Sequence, residues 1–330
     1  MREKLKNIRF ADLFPFIIMV GMFIFFDVAS GAKFQSAYNL KLLLQNCIAP
    51  MIGGLGVLMV VSIGGTDISV GASAGMCATI AAWIVMDTSV QWLAIPITNI
   101  FSSMVGLSVG LIVTKLHVSS FMVTLSLLIG LKGITGYITT VLTTVTAPSN
   151  LGFLKSTVFN VILLVGMVAL FSYIFGNTKF GFYCKCIGEN ERTVRAIGIN
   201  VDRIRIICFV LSGCCAGIVG LTAIVKTGSG SMSLCNMLEM RVQMAIFLGG
   251  ILTTGGFSAR LYKVIVGSVT IVILENGMSV CGVGTAISET IEGIVLVAIL
   301  IATVALERQS VRRDVALSVK AEKEASEAAA

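Results

Sequence analysis

The chain has 330 residues, of which 56% are hydrophobic and only 12% charged, with a mean hydropathy of +0.97 and a net charge of +7. Soluble domains carry about 25% charged residues, so this composition excludes a soluble globular fold and points to an all-α polytopic membrane bundle. The cations flank apolar runs, which argues against a nucleic-acid partner and matches the basic bias of cytoplasmic loops.

At about 20 apolar residues per crossing, roughly ten helices use most of the chain and leave no room for a sizeable soluble domain. Arg2, Lys4, Lys6 and Arg9 precede an apolar run from Leu13 to Val28. Val28-Ala29-Ser30 resembles a signal-peptide cleavage pattern, but the spans that follow favour an uncleaved first helix with its N-terminus in the cytoplasm. Asn46–Ile63 is the second expected span. The turn Gly64-Gly65-Thr66-Asp67-Ile68-Ser69-Val70-Gly71 follows, in which Asp67 or Ser69 is placed to cap a third helix running to about Met86. Gln91–Thr114 is the fourth span, ended by Lys115 and His117, and the fifth begins at Val118. Its Thr-rich continuation from Gly133 to Val145 reads as a helix end or a re-entrant piece, and Val158–Phe175 is the sixth span.

The longest polar interval comes next, about residues 179–205, with Lys179, Lys185, Arg192, Arg195, Arg203 and Arg205. Glu191, Arg192, Arg195 and Ile199 recur at three- and four-residue spacing opposite Val194, Ile197 and Val201, so a short amphipathic helix on the membrane surface is expected. Ile206–Val225 is the seventh span, and Gly228-Ser229-Gly230 reads as a flexible outer loop. Met244–Thr254 is too short to cross alone unless Val242 and Gln243 are drawn in; Val264–Val280 and Ile291–Leu306 are the ninth and tenth. Residues 1–306 form one transmembrane domain on this reading. Both termini are cytoplasmic, and the tail 307–330 is charged, rich in Ala, Glu and Ser, and need not be ordered.

Nine cysteines lie mostly in or beside apolar runs, and Cys184-x-Cys186 has no histidine or further cysteine cluster beside it, so neither a disulfide framework nor a zinc site is expected. No metalloprotease, nucleophile-elbow or phosphate-loop motif occurs, so the chain is expected to be no enzyme and to bind no cofactor itself. Small-xxx-small pairs such as Gly106/Gly110 and Gly213/Gly217 suit close helix packing. Glu275, next to Asn276 inside the ninth span, is the clearest ionisable candidate, because charge within a bilayer is costly. Glu289 and Glu292 open the tenth.

Several stretches taken in order resemble the permease subunits of bacterial ribose-type ABC importers. Gly64–Gly71 is similar to the family's Gly-Gly-Ile-Asp-Leu-Ser-Val-Gly, and Lys115 with Val118, Phe121, Thr124 and Leu125 fits its next turn. Gly188-Glu189-Asn190-Glu191 with Ala196–Asp202 resembles the cytoplasmic coupling segment, and Leu211-Ser212-Gly213, Leu248-Gly249-Gly250, Gly255-Gly256 and Asn276-Gly277 follow in the family's order. The likeness covers about Leu42 to Leu306. Arg241 and Gln243 interrupt a run that is apolar in the family, and Glu275 stands where Asn is usual.

The resemblance implies a multi-pass protein of the bacterial inner membrane that pairs with a second permease subunit, a copy or a paralogue. It also implies separate ABC ATPases that use ATP and Mg²⁺, and an extracytoplasmic sugar-binding protein. The coupling residues would be Glu189, Asn190, Glu191, Arg192, Arg195, Gly198, Ile199 and Asn200. Polar groups expected along the pathway are Gln45, Asn46, Asp67, Ser69, Glu275 and Asn276. The solute would be a sugar or similar polyhydroxy compound: a polyol, pentose, hexose, nucleoside or signalling furanone. The alternative is an ion-coupled secondary carrier in which Asp67, Glu275 or Glu289 holds the coupling ion.

Overall fold

The computed structural model describes residues 10–305 apart from 32, 143, 253, 285, 299, 300, 303 and 304. The basic N-terminal residues and the tail 307–330 lie outside the described residues. In chain order the helices are α1 (Phe10–Ala29), α2 (Ala37–Ser62), α3 (Val70–Val85), α4 (Ala94–Lys115), α5 (Ser120–Tyr137), α6 (Thr157–Asn177), α7 (Lys179–Ala196), α8 (Val201–Thr227), α9 (Leu238–Leu248) and α10 (Leu261–Val280). A further helix, α11, spans 286–298. Among the described residues, six helical segments are long and apolar enough to cross a bilayer, and two shorter apolar helices, Leu13–Ala29 and Val70–Val85, accompany them.

Local chemistry sets the boundaries. α2 begins nine residues before the expected Asn46 because the Ser36 hydroxyl accepts the Asn39 N–H at 3.3 Å and so caps it. The Thr-rich stretch after α5 is a π-helical turn, Ile138–Leu142. Gly228–Gly230 is tied down instead of loose: Ala147 N–H donates to the Gly228 carbonyl and Gly230 N–H to that of Val145, each at 3.0 Å.

Glycine decides the packing. Among the described residues α4 and α8 make the most extensive helix contact, and α8 also lies against α2 and α3. A methyl group at Gly106 would run into the Phe209 carbonyl, at Gly213 into that of Ser102, and at Gly220 into that of Ala74. Backbones therefore touch across this core, and the Ser102 hydroxyl donates to the Gly213 carbonyl at the contact. Within lipid, dispersion between closely approached backbones replaces the water-driven association available to soluble helices. One groove joins the turn after α4 to α7: His117 and Ser119 line it together with Glu191, Arg195 and Arg205.

Candidate functional site

Helix α9 has only 11 residues, about 16 Å at 1.5 Å per residue, roughly half a bilayer core. The chain reaches it through an irregular segment, residues 228–237, that runs down the side of α3. Gly230 lies on Thr79, the Leu234 carbonyl on Gly75 and the Cys235 carbonyl on Gly71. Those eight positions of α3 correspond to a descent of about 12 Å. Cys235 and Met237 hold left-handed φ of 57° and 61°, a strained conformation for residues with a Cβ. Non-helical backbone at membrane depth is tolerated where protein covers it or where it lines a cavity.

Charged groups hold this break in place. Lys132 of α5 donates to Asn236 Oδ1 at 2.8 Å and to Glu239 Oε1 at 3.0 Å. Glu239 is 2% exposed and sits in the first turn of α9, where a carboxylate suits the helix dipole. Two turns of chain chemistry thus converge: a lysine from one helix fixes the entry to another.

On another side of α9, Arg241 Nε meets Glu275 Oε1 of α10 at 2.8 Å. The pair faces a cavity of about 430 Å³ lined also by Asn236, Met237, Met240, Met244, Ser279, Val283, Ser288, Glu289 and Glu292. That volume is within the usual range for small-molecule sites. Arg241 is 47% exposed, so its guanidinium keeps donors for another partner. Methionines on the same wall supply adaptable apolar surface.

The expected pathway residues fall in different places. Of the six, Glu275 is the one that lines this cavity. Neighbouring Asn276 is buried, and Gln45 of α2 donates to the Thr157 hydroxyl at the start of α6, while Asn46 is exposed on α2. Asp67 and Ser69 are buried together: the Ser69 N–H and hydroxyl donate to Asp67 Oδ1 at 3.0 and 2.7 Å, and the Ser212 hydroxyl to Oδ2 at 2.6 Å. Gln243 of α9 donates to the Asp67 carbonyl at 3.2 Å. Ser69 precedes α3 without a capping bond to it, because its hydroxyl serves Asp67. Lys132 and Glu239 were absent from the expected set, although a lone lysine in the apolar run of α5 is the kind of intramembrane charge that marks a site.

The residues expected to couple are the parts that shape α7. Asn190 breaks the helix with φ −157° and ψ 95°, and its side chain accepts the Thr193 N–H at 3.1 Å, so a second helical piece starts there. Gly198 ends that piece at φ 84°, a left-handed conformation suited to glycine. The Asn200 side chain caps α8 through the Arg203 N–H at 3.0 Å. Glu191 accepts from Arg195 at 2.9 Å and from Arg205 of α8 at 2.8 Å. Partial burial pushes its carboxyl up, but the two guanidiniums outweigh that and hold it below its ordinary range. Arg192 is exposed and Ile199 half-buried. Near the helix start, Lys185 donates to the Phe175 carbonyl at 3.1 Å and lies 4.2 Å from that ring's centre, so α7 is anchored to the end of α6.

Comparison with known proteins reaches nearly the same span. The family described as "Branched-chain amino acid transport system / permease component" matches residues 41–303. The ribose import permease protein RbsC of Escherichia coli (strain K12) is 27% identical over 284 residues, 82% of this chain and 87% of the relative. RbsC of Bacillus subtilis is 26% identical over 296 residues, covering 87% and 91%. The galactofuranose transporter permease protein YtfT of Escherichia coli is 27% identical over 254 residues, covering 75% and 74%. No solved structure matches the chain.

Proposed function

This chain belongs to the branched-chain amino acid transport system / permease component family, and on that premise we propose that it carries a sugar or similar small polyhydroxy solute into the cytoplasm. It is a multi-pass membrane transport subunit and not an enzyme. The observation that carries the solute class is the alignment, along most of both chains, with permeases named for ribose and galactofuranose. The ion-coupled alternative finds no support in these likenesses.

In this reading the protein sits in the bacterial cytoplasmic membrane with the α7 end and both termini inside, as a basic bias predicts. About ten helical elements enter the membrane, with residues 228–237 and α9 together making one broken crossing. Two permease subunits enclose the pathway, two ABC ATPases use ATP and Mg²⁺, and an extracytoplasmic binding protein delivers solute. The broken crossing and its cavity form the solute path: Glu275 accepts solute hydroxyls, Arg241 donates to them, and Asn236 and Ser279 add weaker contacts. Passage needs contacts that form and release, so a half-open ion pair suits it better than a sealed pocket. Glu189, Asn190, Glu191, Arg192, Arg195, Gly198, Ile199 and Asn200 form the element that meets the ATPase. ATP binding then favours one access state through differential contact with this element.

The test is co-purification of the tagged chain with ATPase subunits, wild type against Arg195→Glu with Gly198→Pro. We expect capture by the wild type and its loss in the variant, with the variant still folded in the membrane. An ATPase absent from the wild-type sample as well would overturn the importer reading.

A further inference from the structure

Besides its anchors near the start, Lys185 on Phe175 and Cys184 against Cys208 of α8, α7 has a tie on each side of the break at Asn190. The second piece is tied by Glu191 to Arg205 of α8 at 2.8 Å, and α8 belongs to the glycine-packed core. The first piece ends at Glu189, whose Oε1 accepts the backbone N–H of Phe257 at 2.9 Å. Phe257 lies in the turn Gly256–Ser258 between α9 and α10. Close packing reinforces that second tie: a methyl group at Gly188 would overlap Gly256, and also the Ser62 carbonyl at the end of α2. Gly255 and Gly256 take φ of 76° and 70°, which keeps the turn narrow enough to sit there.

The turn is the closed end of a stiff hairpin. A methyl group at Gly249 would strike the Lys263 carbonyl, and one at Gly267 that of Ala245. Lys263 Nζ also donates to the Gly250 carbonyl at 3.0 Å. Helices packed backbone to backbone have little room to slide and shift as one body. Arg241 is eight residues before Gly249, about 12 Å up α9, and with Glu275 it forms the cavity wall.

We infer that Glu189 is the positioning residue that hands movement of the surface helix to the α9–α10 hairpin, and so to the Arg241–Glu275 wall. Glu191 and Arg205 hold the other piece of α7 to α8, and the break at Asn190 lies between the two ties. The source of the movement, a partner ATPase, rests on the function proposed above; the tie itself does not.

Two measurements test it on the full-length chain, comparing wild type with Glu189→Ala and Glu189→Gln. The first is amide hydrogen exchange in lipid nanodiscs. Glu189→Ala raises exchange about ten-fold at the 254–258 turn, the effect of losing one charge-assisted bond, and the increase extends into α9. Glu189→Gln keeps the wild-type pattern, because its amide oxygen still accepts the Phe257 N–H. The second is uptake by the complete importer in vesicles: solute moved per ATP hydrolysed falls several-fold in Glu189→Ala, and Glu189→Gln restores it. Unchanged exchange in Glu189→Ala overturns the tie, as does a Glu189→Gln chain equally defective. A wild-type chain without ATP-dependent uptake defeats the importer reading instead, and exchange still decides the role of Glu189.

Discussion

Asp67 and Glu275 are both carboxylates enclosed by an apolar bundle, and their surroundings differ in kind. Asp67 is 4% exposed, and Ser69 and Ser212 direct their donors to it while Gln243 bonds its carbonyl. Those bonds join the turn after α2 to α8 and α9, so the group acts as a three-way fastening. Glu275 has a single guanidinium partner, itself half exposed, and shares an open cavity with Glu289 and Glu292. One carboxylate is thus satisfied by its own scaffold, whereas the other stands beside spare donors and free volume. Burial alone would not have separated the two.

Adding volume to the closed region gives the largest effect expected. Gly213→Leu forces α4 from α8 and costs more than about 4 kcal/mol, read as loss of folded protein in thermal unfolding in detergent. Gly284→Ala, with open space around it near the cavity, changes stability by less than about 0.5 kcal/mol in the same assay. Equal effects would erase the distinction. Next, Asp67→Ala strands three donors and lowers stability by about 3 kcal/mol, with transport falling only as folded protein is lost. Glu275→Gln does the reverse: stability stays within about 1 kcal/mol, and uptake falls roughly ten-fold, as expected for about 1.4 kcal/mol of lost solute contact. Unchanged uptake across pH would remove Glu275 from the pathway.

The smallest effect concerns Glu191, outside the core. Its carboxyl is held below the ordinary 4.5, so its ionised pairing with Arg195 and Arg205 contributes fully above that value. The contribution is lost as pH falls through the lowered folded value, when the protonated acid releases both arginines. Amide exchange over residues 191–199 should therefore rise on acidification below 4.5 in the wild type but not in Glu191→Gln. Equal acid response in both would assign the loosening to another group.

Apolar runs about 20 residues long made most of the spans legible, since helix length follows from the need to satisfy backbone groups inside lipid. Asn190, Gly198 and Asn200 were legible as members of a distinct polar segment with a family likeness, whereas their parts as helix break, left-handed stop and cap emerged only in the fold. The cavity left fewer marks. Glu275 stood out as a charge within a span, but Lys132 and Glu239 lie 107 positions apart, and neither shows its partner in its own neighbourhood. Asp67 was expected to cap α3 or to lie along the pathway; the hydroxyl that meets its second oxygen comes from Ser212, far along the chain.

The sequence by itself determined a helical membrane protein, its basic end and its family likeness, because hydropathy, charge placement and motif order are properties of contiguous residues. Which charges are fastenings and which face open volume was decided only by tertiary structure. Glycines at Gly106, Gly213 and Gly220 let backbones touch, and that close approach sets which distant side chains meet. It closed the bundle around Asp67 and left the α9–α10 wall open beside Glu275.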